Sequence, residues 1–296
     1  MAPSLPRLLV TGASGFLGWN LCGIARQRWS VTGLVNSHRI EIPGCMTEAC
    51  DLADAAAVSA LVDRVRPHAV IHCAAVSQPN ACEKDPEGSR RINVDAAVTI
   101  ASVCRRLGIP LVFTSSEQVF SGNTPPYRET SPVDPVNRYG TQKAEAEQRI
   151  AACCPHAAIC RMPLMFGDPG PAAQNFIMSW VKTLRSGTEL ALFTDEIRMP
   201  VSARTAAEGL LLMLEKQVHG VVHLAGSEAV TRYELGRRLC RTLGHPDTLL
   251  KPVLRADIPM AAPRPKDLIL DSTRAGMLGY RPAPIDRQLS LLFTPG

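Results

Sequence analysis

The sequence predicts an α/β protein built on a doubly wound parallel sheet, with a smaller C-terminal lobe. Three observations predict it. Short apolar runs alternate with longer segments of helical periodicity from Arg7 to about Phe166, the rhythm of a parallel sheet covered by helices on both faces. A glycine-rich turn, Thr11 to Gly18, stands between the first apolar run and the first helical segment. Beyond Gly167 the rhythm becomes less regular, which marks a second lobe.

Each element follows in order. Arg7–Val10 is the first expected strand, and the glycine turn then opens a helix over Phe16–Arg28. Ser30–Val35 is the next strand, followed by a helix at Ala53–Arg64 and a strand at Ala69–His72. A long helical segment over Ser89–Leu107 leads to a strand at Leu111–Thr114, and a helix over Arg138–Ala152 leads to a strand at Ala157–Arg161. That last helix must stop before Pro155, because proline disfavours helix in the residue before it and cannot continue one. Residues 1–166 therefore read as a dinucleotide-binding domain and 167–296 mainly as a substrate lobe. Within the lobe the pattern predicts helices at Gln174–Arg185 and Ala203–Lys216. The run Val221–Leu224 looks like a buried strand, so a segment near 221–225 is expected to return to the sheet. Pro252–Pro265 reads as a loop lining a cleft, because further structure follows it.

Composition narrows the function classes. Apolar residues make up 46% and charged residues 20% of the chain, the balance of an ordinary globular protein rather than a disordered one. The net charge of +5 is scattered, with no Lys/Arg block, so no nucleic-acid partner is expected. Apolar stretches fall far short of the ~20 residues that span a bilayer. Met1 to Pro6 leaves no room for a charged n-region, an apolar core and a cleavage site, so the expected location is cytoplasmic, with no membrane partner. Most of the ten cysteines lie in apolar runs, as Cys73, Cys104, Cys160 and Cys240 do, and read as small core residues of a reducing compartment. The pair Cys153-Cys154 lacks ligand-like spacing to other Cys or His, and no metal site is expected.

The chemistry is concentrated in three places. In Thr11-Gly12-Ala13-Ser14-Gly15-Phe16-Leu17-Gly18, backbone can approach a pyrophosphate seated at the positive end of a helix; the alternative is a plain tight turn. Gly12, Ser14, Gly15, Phe16, Leu17 and Gly18 are the expected contacts of a Rossmann-like site. The second strand ends Asn36-Ser37-His38-Arg39, without the carboxylate that would accept from the ribose hydroxyls of NAD. Asn36, Ser37 and Arg39 therefore favour NADP(H), with a solvated loop arginine as the alternative. Tyr139 and Lys143 are four apart on one helical face, a surface pair or an acid–base pair. Ser115 and Ser116 stand at the carboxyl end of a strand, where ligands bind in open parallel sheets, and Ser116 suits a hydrogen bond to a substrate carbonyl. His72 and His223 fall in strands and read as core or cofactor-adjacent side chains, and Phe176 with Trp180 as packing.

Over nearly its whole length the chain resembles the extended short-chain dehydrogenase/reductase family, most closely its dTDP-4-dehydrorhamnose reductase group. The resemblance is carried by the glycine turn, Tyr139 with Lys143, Asp51-Leu52, His72-Cys73-Ala74-Ala75 and Asn93-Val94. It extends to Pro125 to Glu129, Asp195 to Pro200, Arg264-Pro265-Lys266-Asp267 and Leu270-Asp271. It implies Asp51 and Leu52 near the adenine, and Cys73, Ala74, Ala75, Asn93 and Met162 as further cofactor residues. It implies Ser116, rather than Ser115, as the catalytic hydroxyl, Tyr139 as acid–base, and Lys143 as its electrostatic partner on the nicotinamide ribose. Glu117, Gln118 and Arg198 are implied as substrate contacts, and Arg264 as the grip on a nucleotide-sugar diphosphate, with a structural arginine in a Pro-rich turn as the alternative; Asn175, beside Phe176 and Trp180 in the lobe expected to cover the substrate, is also placed to reach it. Rhamnose-forming members usually carry Thr-Asp-Tyr where this chain has Ser116-Glu117-Gln118, and Trp in place of Leu164. The activity implied is NADPH-dependent reduction of a 4-keto group on a nucleotide-linked deoxysugar. An epimerase is an alternative, while the uncharged Gln118 after Glu117 counts against a dehydratase. Similar stretches also occur in the regulatory β subunits of methionine adenosyltransferases, which makes a non-catalytic, NADP-binding subunit a third reading. Family members are often dimers, so a homodimer is expected, although no apolar stripe marks an interface.

Overall fold

The structure is a computed structural model that describes residues 5–293; residues 1–4, on which the expectation of no leader partly rests, lie outside it. Seven strands form the central sheet: β1 (Arg7–Thr11), β2 (Ser30–Val35), β3 (Met46–Ala49), β4 (Ala69–His72), β5 (Leu111–Ser116), β6 (Ala158–Met162) and β7 (Gly220–His223). They lie in the order β7-β6-β5-β4-β1-β2-β3, and every neighbouring pair is parallel. The order reverses between β1 and β4, and the crevice beyond their carboxyl ends is where such sheets bind ligands.

The inner strands β4, β5 and β6 are buried at every position, which is why they are written as unbroken apolar or small-residue runs. β3 is the exception. Its Met-Thr-Glu-Ala sequence is mostly exposed, because it closes the edge beside β2, and nothing in so polar a tetrapeptide announces a strand.

Eight principal helices are α1 (Phe16–Ala25), α2 (Ala55–Val65), α3 (Ala97–Leu107), α4 (Arg138–Cys153), α5 (Phe176–Arg185), α6 (Ala203–Glu215), α7 (Arg232–Leu243) and α8 (Ile285–Phe293). On one face of the sheet α1 and α6 pack together, burying Leu21, Leu210 and Met213 against β1, β5 and β6. On the other, α2, α3 and α4 bury Val58, Ile100 and Ile150. Truncating one such core leucine or isoleucine to alanine costs ~2–5 kcal/mol. A third core, with Trp180, Leu192, Leu239 and Leu289, belongs to the C-terminal lobe. The chain leaves the sheet after β6, forms part of this lobe, returns as β7 beside β6, and leaves again.

Two helix boundaries differ from expectation by three residues, the others by at most two. α1 ends at Ala25 rather than Arg28, because Gln27 and Arg28 close tight turns onto the carbonyls of Ile24 and Ala25. The segment expected as one helix over Ser89–Leu107 begins earlier, at Pro86, and carries a π turn over Arg91–Ala96 before α3. Among the described residues no helix is long and apolar enough to cross a membrane.

Candidate active site

A cavity of about 540 Å³ opens at the carboxyl ends of the central strands, between the sheet and the C-terminal lobe. Its floor begins at the glycine turn. Gly12 has a φ of +68°, and a Cβ there would sit 2.7 Å from the backbone of Ala74. A Cβ on Gly18 would meet the Gly12 carbonyl oxygen at 2.2 Å. Both positions therefore require glycine, so that the turn can fold tightly onto α1 and against the strand beside it. The first turn of α1 has neither an acidic residue nor a side-chain cap, so its amide groups face the cavity as an uncompensated positive pole. Thr11 Oγ1 ties the two loops together, accepting from the Ala74 amide at 3.2 Å and pairing with His72 Nδ1 at 2.7 Å. Burial holds His72 down to about 3, so it is neutral at physiological pH.

From that floor the wall runs through Ser14, Gly15, Phe16, Leu17, Asn36, Ser37 and Leu52 at one end to Cys73, Ala74, Ala75 and Met162 nearer the middle. An elongated, glycine-floored trough with a helix N-terminus at its centre fits a dinucleotide. Asp51, expected near the adenine, does not line it; its carboxylate accepts from the Ala53 amide at 3.0 Å, leaving Cys50 and Leu52 on the wall. Arg39 is exposed and off the wall, because the chain bends away over Asn36–His38. Asn93 is also no wall residue. It is 1% exposed, accepts from the Val76 amide at 2.8 Å, and donates to the Val76 carbonyl and to Gln142 Oε1 at 3.1 and 2.7 Å. The π turn aims it there, and its observed contacts hold the loop after β4.

At the other end stand Ser116, Tyr139 and Lys143, all lining the same cavity and all at most 7% exposed. Ser116 ends β5 and caps the short turn that follows, accepting from the Gln118 amide at 3.2 Å. Tyr139 and Lys143 lie one turn apart at the start of α4. This start is fixed by Asn137, which accepts from the Gly140 amide at 2.9 Å and donates to Gln118 Oε1 and the Pro263 carbonyl, each at 3.0 Å. Burial raises the Tyr139 phenol well above its ordinary value, outweighing the opposite influence of the neighbouring Ser116 hydroxyl. Lys143 Nζ donates to the Thr114 carbonyl at 2.8 Å and lies 4.7 Å from the Phe113 ring centroid, and burial brings it down to about 8. The arrangement presents a protonated phenol, a hydroxyl and an amine that titrates near neutrality to whatever occupies the cavity.

The lobe side of the wall is charged. Glu117, Gln118, Arg198 and Arg264, each read from the sequence as a substrate contact, line it. Burial pushes Glu117 up to about 8 despite Arg198 at 3.4 Å. Arg198 itself is not free for a ligand. It donates to the carbonyls of Ile197 and Lys266, both at 2.7 Å, and of Pro265 at 2.9 Å, and so serves to hold the Arg264 loop. Arg264 Nε, by contrast, is buried without a hydrogen-bond partner among the described residues. Asn175 corrects the expectation of a substrate contact. It caps α5, accepting from the Ile177 amide at 3.0 Å and donating to the Met165 carbonyl at 3.1 Å, and it is not on the wall. Glu196 and Arg232 are on the wall and were not singled out from the sequence. Arg232 opens an arginine-rich amphipathic helix, where nothing distinguishes it from its solvated neighbours.

Comparison with known proteins agrees with this architecture. The model of the family described as RmlD substrate binding domain matches residues 6–292. The chain is 32% identical over 281 residues to methionine adenosyltransferase 2 subunit beta of Xenopus laevis, covering 92% of this chain and 82% of that protein. It is also 32% identical over 289 residues to a probable low-salt glycan biosynthesis reductase of Haloferax volcanii, covering 96% of each. The crystal structure of a Bacillus anthracis dTDP-4-dehydrorhamnose reductase in complex with NADP superposes with a TM-score of 0.84 at 22% identity, covering 98% of this chain and 99% of the other.

Proposed function

This chain belongs to the RmlD substrate-binding domain family, and on that premise we propose that it is an NADPH-dependent reductase of a 4-keto group on a nucleotide-linked deoxysugar. The observation that carries the reading is the convergence of Ser116, Tyr139 and Lys143 on the cavity that the glycine turn floors. The NADP in the Bacillus anthracis neighbour and the reductase name of the Haloferax volcanii relative support it.

The residues present fit the dinucleotide. Gly12, Ser14, Gly15, Phe16, Leu17 and Gly18 would hold its pyrophosphate, with Leu52 at the adenine end and Cys73, Ala74, Ala75 and Met162 along its middle. With no carboxylate at the end of β2, Asn36, Ser37 and the nearby Arg39 suit the 2′-phosphate of NADP(H). Bound there, the cofactor supplies a hydride. Ser116 donates to the substrate carbonyl oxygen and orients it. Tyr139, kept protonated by burial, delivers its proton to that oxygen as negative charge develops on it. Lys143, one helical turn away, stabilises the phenolate left behind and holds the ribose. Arg264, with its unpartnered Nε, takes the diphosphate, a geometry a guanidinium serves well.

A second reading is a cofactor-binding regulatory subunit, favoured by the 32% identity to the Xenopus laevis β subunit. One experiment separates the two. Incubation with NADPH and dTDP-4-dehydrorhamnose, followed by chromatography of the nucleotide sugars, yields the reduced sugar if the first is right. No product, together with stable co-purification with a methionine adenosyltransferase, would establish the second instead.

A further inference from the structure

The cavity contains one more cationic donor than the reading above employs. Arg232, at the start of α7, stacks its guanidinium on two rings of α5, 4.3 Å from the Phe176 centroid and 4.9 Å from that of Trp180. Its Nε lies 3.8 Å from Glu196 Oε1, and Glu196 in turn lies 3.5 Å from Arg198, which is 3.4 Å from Glu117. One wall of the cavity is thus a ladder of alternating carboxyl and guanidinium groups that begins beside Ser116 and ends at Arg232. The two arginines of the ladder differ in what they have left to offer. Arg198 is bonded to three backbone carbonyls, whereas Arg232 Nη1 is buried with no hydrogen-bond partner among the described residues.

A buried guanidinium N–H without an acceptor is costly, and one clamped between two rings and a carboxylate has little freedom to swing towards water. Glu117 Oε2, on the same wall, is likewise buried and unpartnered. Three guanidiniums face two carboxyl groups there, and Glu117 keeps its proton at neutral pH, so the cationic surplus favours an oxygen-rich, electron-dense ligand group. Resting on the nucleotide-sugar reading, we propose that Arg232 is a specificity-determining residue whose Nη1 donates to an oxygen of the glycosyl group. Arg264, on the loop held by Arg198, is left to the diphosphate. Arg232, though the far rung of the ladder, also acts directly on Glu117, the neighbour of Ser116, the residue assigned to the reacting carbonyl, and on that ground it is assigned to the sugar's side of the cavity. Phe176 and Trp180 then have a role beyond packing, since they fix the plane and depth of the guanidinium.

The test is calorimetric titration of the full chain with dTDP and with dTDP-L-rhamnose, for wild type, Arg232→Met and Arg232→Lys, each with its NADPH affinity measured as a check of folding. The expected result is that Arg232→Met weakens dTDP-L-rhamnose about 10- to 100-fold, the loss of one charge-assisted hydrogen bond. Its affinities for dTDP and NADPH stay at the wild-type values, and Arg232→Lys recovers part of the loss. An equal loss for dTDP would overturn the assignment and move Arg232 to the diphosphate, as would unchanged affinity for both ligands by removing it from recognition. A wild-type chain that binds NADPH but neither dTDP ligand would overturn the nucleotide-sugar reading and this assignment with it.

Discussion

Glu117 shows how one side chain in this cavity couples charge to stability. Its folded pKa, about 8, lies above the ordinary carboxylate value of 4.5. Between those two values the folded state holds a proton that the unfolded state has released, so this group's contribution falls as pH rises through the window. Glu117→Gln mimics the protonated acid. Relative to wild type it should gain on the order of a few degrees in melting temperature between pH 5 and pH 8.5, with little difference at the acid end. Melting curves across that range check this, and a difference that stays flat with pH would mean that Glu117 is ionised throughout. At the same scale, the sequence pointed to Ser116, Tyr139 and Lys143 because hydroxyls at a strand end and a phenol four residues before a lysine form a pattern. It did not point to Arg232, whose place depends on rings 56 and 52 positions away in the chain. Asn175 and Asn93 looked like ligand residues and are instead a helix cap and a loop pin, because an asparagine's polar tip serves backbone and ligand equally well.

Among the elements, α4 depends most on a single residue. Asn137 caps it and bonds to both Gln118 and the Pro263 carbonyl, so it joins α4, the turn after β5 and the loop before Arg264. Asn137→Ala should cost ~1–2 kcal/mol, the upper range for an N-cap, and lower turnover more than cofactor affinity because Tyr139 sits in the first turn. Thermal melts and NADPH titration measured side by side test that split; equal losses in both would point to general unfolding. The glycine turn gives the complementary case. A side chain at Gly12 is opposed both by its φ of +68° and by the Ala74 backbone at 2.7 Å, so Gly12→Ala should abolish NADPH binding while α4 remains folded. Elements with a strong period or an unbroken apolar run, such as β4 and β5, were legible in the sequence. β3 was not, since an exposed edge strand needs no apolar pattern, and the π turn before α3 was not, since it leaves the helical rhythm almost intact.

Seen whole, the molecule sets a cofactor trough on the sheet and a charged cavity wall on the lobe, and the return of the chain as β7 fastens one to the other. The fold class was readable because a parallel sheet buried on both faces imposes its alternation on more than half the chain, whereas the lobe's short paired strands impose none. Cofactor choice is a property of this whole assembly. At equal concentration NADPH should raise the melting temperature more than NADH, as ligand binding to the folded state alone requires. Arg39→Ala should narrow that gap, and a larger shift with NADH would reverse the assignment. If the assembled site reduces a keto-sugar with Tyr139 as the proton donor, NADPH oxidation with dTDP-4-dehydrorhamnose, followed for wild type beside Tyr139→Phe, will show it. Turnover is expected in the wild type, with a loss of at least ~10²-fold in the variant at unchanged NADPH affinity. NADPH binding without any turnover in the wild type, or turnover that survives the loss of the phenol hydroxyl, would contradict it.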